Sequence, residues 1–288
     1  MAGNARQSQA RTLASQGPSV PKDRQAAGVS RLPQLLEPLR ADPANAAVLF
    51  DIDGTLAPIV RHASDAHIPE DTRRQLIAVA KRYGIVGCVT GRPALVARQM
   101  VGIGSIAYVG NHGIESLPPG AAEVVLDRRV ASHVKRVHAF ALAVDTAEVQ
   151  RLRVRLEDKG PIVAFHWRGA PDEQAAESAV ERIEHDARAA GLVTHRGRKV
   201  LEVRPPVPID KGRGIALLLR KRRPANGLYV GDDVTDIDAF RGLRESVSGS
   251  AVCVAVGSEE ASDELLADAD LVVAGPAGVR GLLDELLR

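Results

Sequence analysis

Asp51 and Asp53 stand one residue apart, directly after the apolar run Ala46-Ala47-Val48-Leu49-Phe50. Carboxylates at the end of a buried strand are costly unless cations or hydrogen-bond donors meet them. The pair therefore points to chemistry, and Gly54-Thr55 behind it lets the chain turn sharply. Comparable groups recur at two other strand-like ends. Thr90-Gly91-Arg92 follows one, and Asp232-Asp233, with Asp236 and Asp238 close behind, follows another. Lys211, after Pro208-Ile209-Asp210, opens a helix-like run and supplies a cation. Several carboxylates, a hydroxyl and an ammonium at neighbouring strand ends suit a hard divalent cation and a phosphate. Magnesium takes oxygen ligands, usually one or two carboxylates plus water and phosphate oxygens. A carboxylate so placed can attack phosphorus and form an aspartyl-phosphate.

Bringing these groups together requires a parallel sheet, whose ligands bind beyond the carboxyl ends of the strands. From Ala46 onward the chain alternates strand-like and helix-like runs. Strands are expected at Val48–Phe50, Ile85–Val89, Ile106–Val109, Gly227–Val230, Val252–Val256 and Leu271–Val273. Helices are expected at Glu70–Tyr83, Pro93–Val101, Lys211–Arg222, Asp236–Leu243 and Val279–Leu287. Apolar strands alternating with helices argue a sheet covered on both faces. The middle differs, with strands at Glu123–Leu126 and Ile162–Trp167, helices at His133–Leu156 and Asp172–Ala190, and a hairpin of Val193–His195 with Lys199–Val203. The expected class is α/β: a Rossmann-like parallel-sheet core, residues 45–118 and 206–288, with an inserted smaller α+β unit over 119–205. Residues 1–44 read as a largely disordered tail carrying a short helix near Leu32–Leu39.

Composition narrows the partners. The chain has 288 residues, 45% hydrophobic and 26% charged, and 38 basic against 36 acidic residues leave a net charge of +2. That balance offers no electrostatic footprint for nucleic acid or an anionic membrane. Aromatics at 3% supply no base-stacking platform. No run approaches the roughly 18 to 20 apolar residues of a membrane span, and the start lacks the apolar core of a secretory signal. Cys88 and Cys253 fall in apolar runs and read as buried thiols of a reducing cytoplasm.

Asp-Ile-Asp-Gly-Thr, Val-Thr-Gly-Arg, Asp-Lys-Gly and Gly-Asp-Asp, in this order, resemble the four motifs of the haloacid dehalogenase-like phosphatases. "GNHGIE" at 110–115, "LEDKG" at 156–160, "HWR" at 166–168, "LEVRPP" at 201–206, "DKGRGIALLL" at 210–219 and "GDDVTDIDAF" at 231–240 resemble, more narrowly, the trehalose-6-phosphate phosphatase family. The match covers about residues 45 to 288. Ile237 stands where that family more often has Glu, and Trp167 where Tyr is usual.

This resemblance implies a Mg2+-dependent monoesterase acting on trehalose 6-phosphate, with a C2-type cap domain. Asp51 would be nucleophile and metal ligand. Asp53 would protonate the leaving oxygen, then activate water, while its backbone carbonyl binds the metal. Thr90 would hydrogen-bond phosphate oxygens, with Gly54, Gly91 and Arg92 beside them. Lys211 would neutralise phosphate and Asp51. Asp232 would hold magnesium, with Asp233 and Asp236 behind it or as ligands. Sugar recognition would come from Lys159, His166, Arg168 and Glu202 of the cap, and from Asn111, His112 and Glu115 at its hinge.

Each of these has a plainer reading. Lys159 could be an ordinary helix-end cation, His166 and Arg168 a solvated strand face, Glu202 half of a surface ion pair, and His112 a satisfied core histidine. His62, His67, His133, His138, His185 and His195 read as surface residues, and Arg220 to Arg223 as a solvated helix end. Two other functions stay open. One is another capped sugar phosphatase, of the sucrose-phosphate or mannosyl-phosphoglycerate type. The other is a catalytically silent binding module.

Overall fold

The computed structural model describes residues 22–60, 65–258 and 261–288; residues 1–21 of the expected tail, and His62, lie outside these. In chain order, helix α1 (Lys22–Ala41) leads to β1 (Ala46–Phe50), α2 (Glu70–Arg82), β2 (Ile85–Val89), α3 (Ala94–Val101), β3 (Ala107–Gly110), β4 (Glu115–Leu117) and β5 (Val125–Leu126). Next come α4 (Arg128–Ala131), α5 (Val134–Val144), α6 (Ala147–Arg151), β6 (Arg155–Asp158), β7 (Val163–His166), α7 (Glu173–Ala189), β8 (Val193–Gly197) and β9 (Val200–Arg204). The chain returns through α8 (Lys211–Leu219), β10 (Asn226–Gly231), α9 (Asp236–Ser246), β11 (Ala251–Gly257), α10 (Asp263–Asp268), β12 (Leu271–Ala274) and α11 (Gly275–Leu287).

Eight strands form one sheet, ordered β12-β11-β10-β1-β2-β3-β4-β5, and β6-β7-β9-β8 form a second. Pairing is parallel from β12 to β3 and antiparallel from β3 to β5. The smaller sheet is antiparallel throughout. This is the expected α/β architecture, with a smaller α+β unit inserted in a parallel-sheet core.

Every residue of β1 is buried, so helices must cover both of its faces. On one side Leu32, Leu36, Leu76, Val79, Leu282 and Leu286 pack with Val48 and Phe50. On the other, Ile215, Leu219, Phe240 and Leu243 pack with Ala47, Leu49 and Tyr229. Each such Leu or Ile contributes roughly 1.5 to 3 kcal/mol on burial. The insertion has its own core, in which Phe165, Leu201 and Val203 meet Val137, Ala176 and Ile183. Cys88 and Cys253 are buried and free. Among the described residues, no helix is long and apolar enough to cross a membrane.

Several elements differ from the sequence reading, which did not include β4, α4 or α10. The expected short helix lies inside the longer α1, which runs through Pro33 and Pro38. Leu32, Leu36 and Leu39, at helical spacing, tie it to the main core. The expected helix His133–Leu156 is broken after Val144. Thr146 caps α6 by accepting from the Val149 amide, Arg153 takes a positive φ of 60°, and Arg155–Asp158 becomes an edge strand. Finally β5, at Val125–Leu126, joins the large sheet from within the span assigned to the insertion.

Candidate active site

β1 lies between β2 and β10 with Phe50 opposite both Cys88 and Val230, so the carboxyl ends of three strands meet at one level. Asp51 leaves β1 with its amide donating to Val230 O at 2.8 Å. The chain then folds back, Gly54 N donating to Ala57 O and Ala57 N to Ile52 O at 2.8 and 2.9 Å. Gly54 has φ +79°, and a Cβ there would lie 1.9 Å from Asp232 Oδ2. Glycine is thus required twice, for the turn and for the approach of Asp232. Thr55 Oγ1 donates to Asp232 Oδ1 at 3.2 Å.

Lys211 is the first residue of α8, whose N-terminus is capped by Asp210 Oδ1 accepting from Arg213 N at 2.7 Å. Its side chain is only 3% exposed, with Nζ 3.2 Å from Asp51 Oδ1 and 2.6 Å from Asp236 Oδ1. Asp236 accepts two further backbone bonds at Oδ2, from Asp232 N and Asp233 N, both 3.0 Å. Tyr229 OH donates to Oδ1 at 2.6 Å. Four donors fill about the four lone-pair sites that a carboxylate has. Asp236 is therefore a fastening between β10, α8 and the turn that carries Asp232.

Burial raises the Asp51 carboxyl well above the ordinary range, against the pull of Lys211. Burial and the nearby Asp236 push Asp232 up to about 7. Burial opposes charge on Lys211, but Asp236 and Asp51 outweigh it and raise its pKa. Oxygens of Asp51, Asp232 and Asp236 lie within 4.8 Å of one another, so three acids face one ammonium. A hard divalent cation fits this donor set. Asp51 and Asp232, whose oxygens are not saturated by donors, would hold it; Asp236 is already spent. Asp233 is exposed, and its Oδ1 accepts from the Val234 amide at 2.6 Å.

Across the mouth, Asp53 is gripped by Arg92, Nε to Oδ2 at 2.6 Å and a terminal nitrogen to Oδ1 at 2.7 Å. The guanidinium fork matches both carboxylate oxygens and fixes their direction. Thr90 is buried at the end of β2, its amide donating to Val109 O at 2.9 Å and its Oγ1 accepting from Arg92 N at 3.2 Å. A Cβ on Gly91 would come within 2.7 Å of the His112 ring, so the missing side chain leaves room for that imidazole. Burial and the nearby Arg204 lower the His112 pKa to about 3, leaving the ring neutral. Asn111 is fully buried and bridges the two units, its Nδ2 donating to Glu115 Oε1 at 2.7 Å and to the Lys159 carbonyl at 2.9 Å. Glu115 Oε2 accepts from Ala94 N at 2.8 Å, capping α3.

The small sheet turns its apolar face to α5 and α7 and its polar face to this mouth. Alternation puts Leu201 and Val203 inward and Glu202 outward. Glu202 is pinned between Lys159 Nζ, at 2.8 Å from Oε1, and Arg204, at 2.6 Å from Oε2. Although burial opposes ionisation, these two cations bring Glu202 down to about 2. His166 Nε2 pairs with Glu157 Oε2 at 2.7 Å on the same face. Arg168 is exposed and donates to the Arg198 carbonyl at 3.2 Å. Arg92 feels the field of Glu157, and exposed His195 that of Asp233, across the cleft.

The fold thus gathers Asp51, Lys211, Asp232 and Asp236 in one cluster, Asp53 with Arg92 beside it, and Lys159 with Glu202 opposite. It places Glu115 beneath α3 and Arg168 at a turn of the insertion. Sequence reasoning passed over Arg204, Thr55, Glu157 and Tyr229. Arg204 carried a signal, lying two residues after Glu202 and so on the same strand face. Tyr229 carried none, since a tyrosine inside an apolar strand reads as core.

A family model described as trehalose-phosphatase matches residues 49–270. A trehalose-phosphate phosphatase of Mycobacterium tuberculosis is 32% identical over 278 residues, covering 90% of this chain and 67% of that protein. A probable trehalose-phosphate phosphatase D of Arabidopsis thaliana is 29% identical over 246 residues, covering 81% and 66%. The chain thus spans about two thirds of the length of these relatives. The C-terminal domain of a trehalose-6-phosphate phosphatase from C. albicans superposes with a TM-score of 0.67 at 22% identity, covering 94% of this chain and 99% of that one. At that identity the likeness speaks for the fold.

Proposed function

Because the chain belongs to the trehalose-phosphatase family, we propose that it is a cytoplasmic, magnesium-dependent phosphatase releasing trehalose and phosphate from trehalose 6-phosphate. The observation that carries the reading is the buried cluster of Asp51, Lys211 and Asp232 at adjoining strand ends, facing the polar side of the inserted sheet. We take residues 45–126 and 206–288 as the catalytic core and 127–205 as its cap, since β5 pairs within the large sheet.

In this reading Asp51 attacks phosphorus and forms an aspartyl-phosphate. Lys211 offsets the charge of Asp51 and of the phosphoryl oxygens, and Thr90 binds one of those oxygens. Asp53, protonated once the Arg92 fork lets go of it, gives that proton to the leaving sugar oxygen and then takes one from the water that hydrolyses the intermediate. Magnesium, held by Asp51 and Asp232 with the Asp53 carbonyl, would supply further charge compensation at the phosphoryl group. Lys159 and Glu202, with His112 and Asn111 at the junction, take the sugar hydroxyls. Burying those hydroxyls against fixed donors and acceptors positions the phosphate over Asp51.

The test separates recognition from chemistry. Lys159→Ala should lower kcat/KM for trehalose 6-phosphate by about one to two orders of magnitude, the scale of a charge-assisted hydrogen bond. A small aryl phosphate, which needs the core alone, should be hydrolysed at nearly the wild-type rate. Equal losses on both substrates would assign Lys159 to support of the core site. A preference for sucrose phosphate or mannosyl-phosphoglycerate over trehalose 6-phosphate would move the substrate to those classes.

Metal binding should show in stability as well as turnover. Asp232 has a raised folded pKa, about 7, so the metal-free fold binds protons that the unfolded chain lacks. Its stability therefore falls as pH rises from about 4 towards 7. Magnesium needs the ionised form, so its rise in Tm should be larger at pH 8 than at pH 5. Thermal scans with and without magnesium at both pH values check this; an equal shift at both would remove Asp232 from the ligand set.

A further inference from the structure

Tyr229 is fully buried in the middle of β10, among Leu49, Ile215, Phe240 and Cys253 on the α8 and α9 side of the sheet. Its ring meets Phe240 edge to face, with centroids 5.9 Å apart. Packing would be served as well by phenylalanine, yet the hydroxyl donates to Asp236 Oδ1 at 2.6 Å. The same oxygen accepts from Lys211 Nζ at 2.6 Å, while that ammonium stands 3.2 Å from Asp51. Two donors thus share one acceptor, one rigid on a central strand and the other on a flexible four-carbon stem.

We infer that Tyr229 is a positioning residue for Lys211: its hydroxyl takes part of the acceptor capacity of Asp236 Oδ1 and keeps the ammonium within reach of Asp51. The inference rests on the phosphatase reading for its catalytic consequence, though its structural content does not. Remove the hydroxyl, and Asp236 Oδ1 has Lys211 as its remaining side-chain donor. Asp236 Oδ1, relieved of its other side-chain donor, then holds the ammonium more strongly and draws it from Asp51. The tether is rigid because the tyrosine ring is locked by Phe240 and Asp236 Oδ2 is fixed by the Asp232 and Asp233 amides. Since Tyr229 touches no surface where a sugar could bind, the loss falls on the step in which charge develops and not on sugar affinity.

Tyr229→Phe should lower kcat about tenfold with KM within about twofold, the scale of one outer hydrogen bond to a charged group. Binding of orthovanadate in magnesium, followed by calorimetry, should weaken by a similar factor, since that anion senses Lys211 without turnover. Leu265→Ala is the control, loosening the same apolar layer from α10, which carries no residue of the cluster, and lowering Tm while leaving kcat and vanadate affinity near wild type. Folded Tyr229→Phe protein with wild-type kcat and vanadate affinity would overturn the proposal. So would a Leu265→Ala protein that loses both to the same degree, because packing alone would then account for the effect. If the wild type hydrolyses no sugar phosphate, the functional reading fails instead, and the vanadate comparison still decides the role of Tyr229.

Discussion

Asp51→Asn is expected to lower turnover by about four to six orders of magnitude, the scale at which removal of a nucleophile leaves residual catalysis from binding and charge alone. The amide is nearly isosteric, so Lys211 and the turn through Gly54 have little reason to move. The same substitution takes one negative charge out of a buried cluster in which Asp232 and Asp236 raise the pKa of Asp51. Without metal, the variant should therefore be at least as stable as the wild type, unlike most core substitutions. Mass spectrometry of acid-quenched protein should find phosphate attached to wild-type Asp51 and none on the variant. Normal turnover in Asp51→Asn would end the covalent mechanism.

Lys211→Met has the opposite signature, losing stability and activity together. The side chain keeps its length, but Asp51 and Asp236 lose the ammonium that lies 3.2 and 2.6 Å from them. Removing one partner of a buried ionic cluster costs about 3 to 5 kcal/mol, because the remaining charges stay buried without compensation. The stranded acids raise their pKa values further, so the folded state takes up protons. The loss should be greatest at high pH and shrink as pH falls towards the ordinary carboxylate range. Magnesium should restore part of the stability by supplying the missing positive charge, while turnover stays lost. Urea unfolding at pH 8 and pH 5 measures this, and wild-type stability at pH 8 would mean that Asp236 is held by its other three donors without need of a cation.

The strands that carry the cluster were legible because parallel strands buried on both faces spell themselves as apolar runs, as in Val48-Leu49-Phe50 and Val252–Val256. Burial of Asp51 was legible for the same reason, since it adjoins such a run; that of Lys211 was not, since it opens a helix-like run after Asp210. β6 was not, because Arg155-Leu156-Glu157-Asp158 is a largely exposed edge strand with no apolar alternation to set it apart from the end of a helix. The pairings within the site were also hidden. Arg92 reads as a phosphate ligand beside Thr90, and only the fold shows its fork closed on Asp53. Glu115 reads as a sugar ligand, but the fold spends its carboxylate on Ala94 N and Asn111. Motif residues announce their chemistry, whereas the partner that each will meet is decided by strands and helices far away in the chain.

The central place of β1 also bears on the order in which the molecule assembles during synthesis. β1 emerges early and pairs with β2, but its other edge waits for β10, which lies beyond the whole insertion. Until then Val48, Leu49 and Phe50 present one unpaired, strongly apolar strand edge, the kind of surface through which partly made chains stick together. The insertion has all four strands of its own sheet and its own core complete in the chain before β10 is made. Lys211 and Asp232 reach Asp51 only after the insertion has been made, so the acidic cluster comes into being only when the large sheet is joined. A chain made only as far as α8 therefore holds every strand of the small sheet while one edge of β1 still lacks its partner.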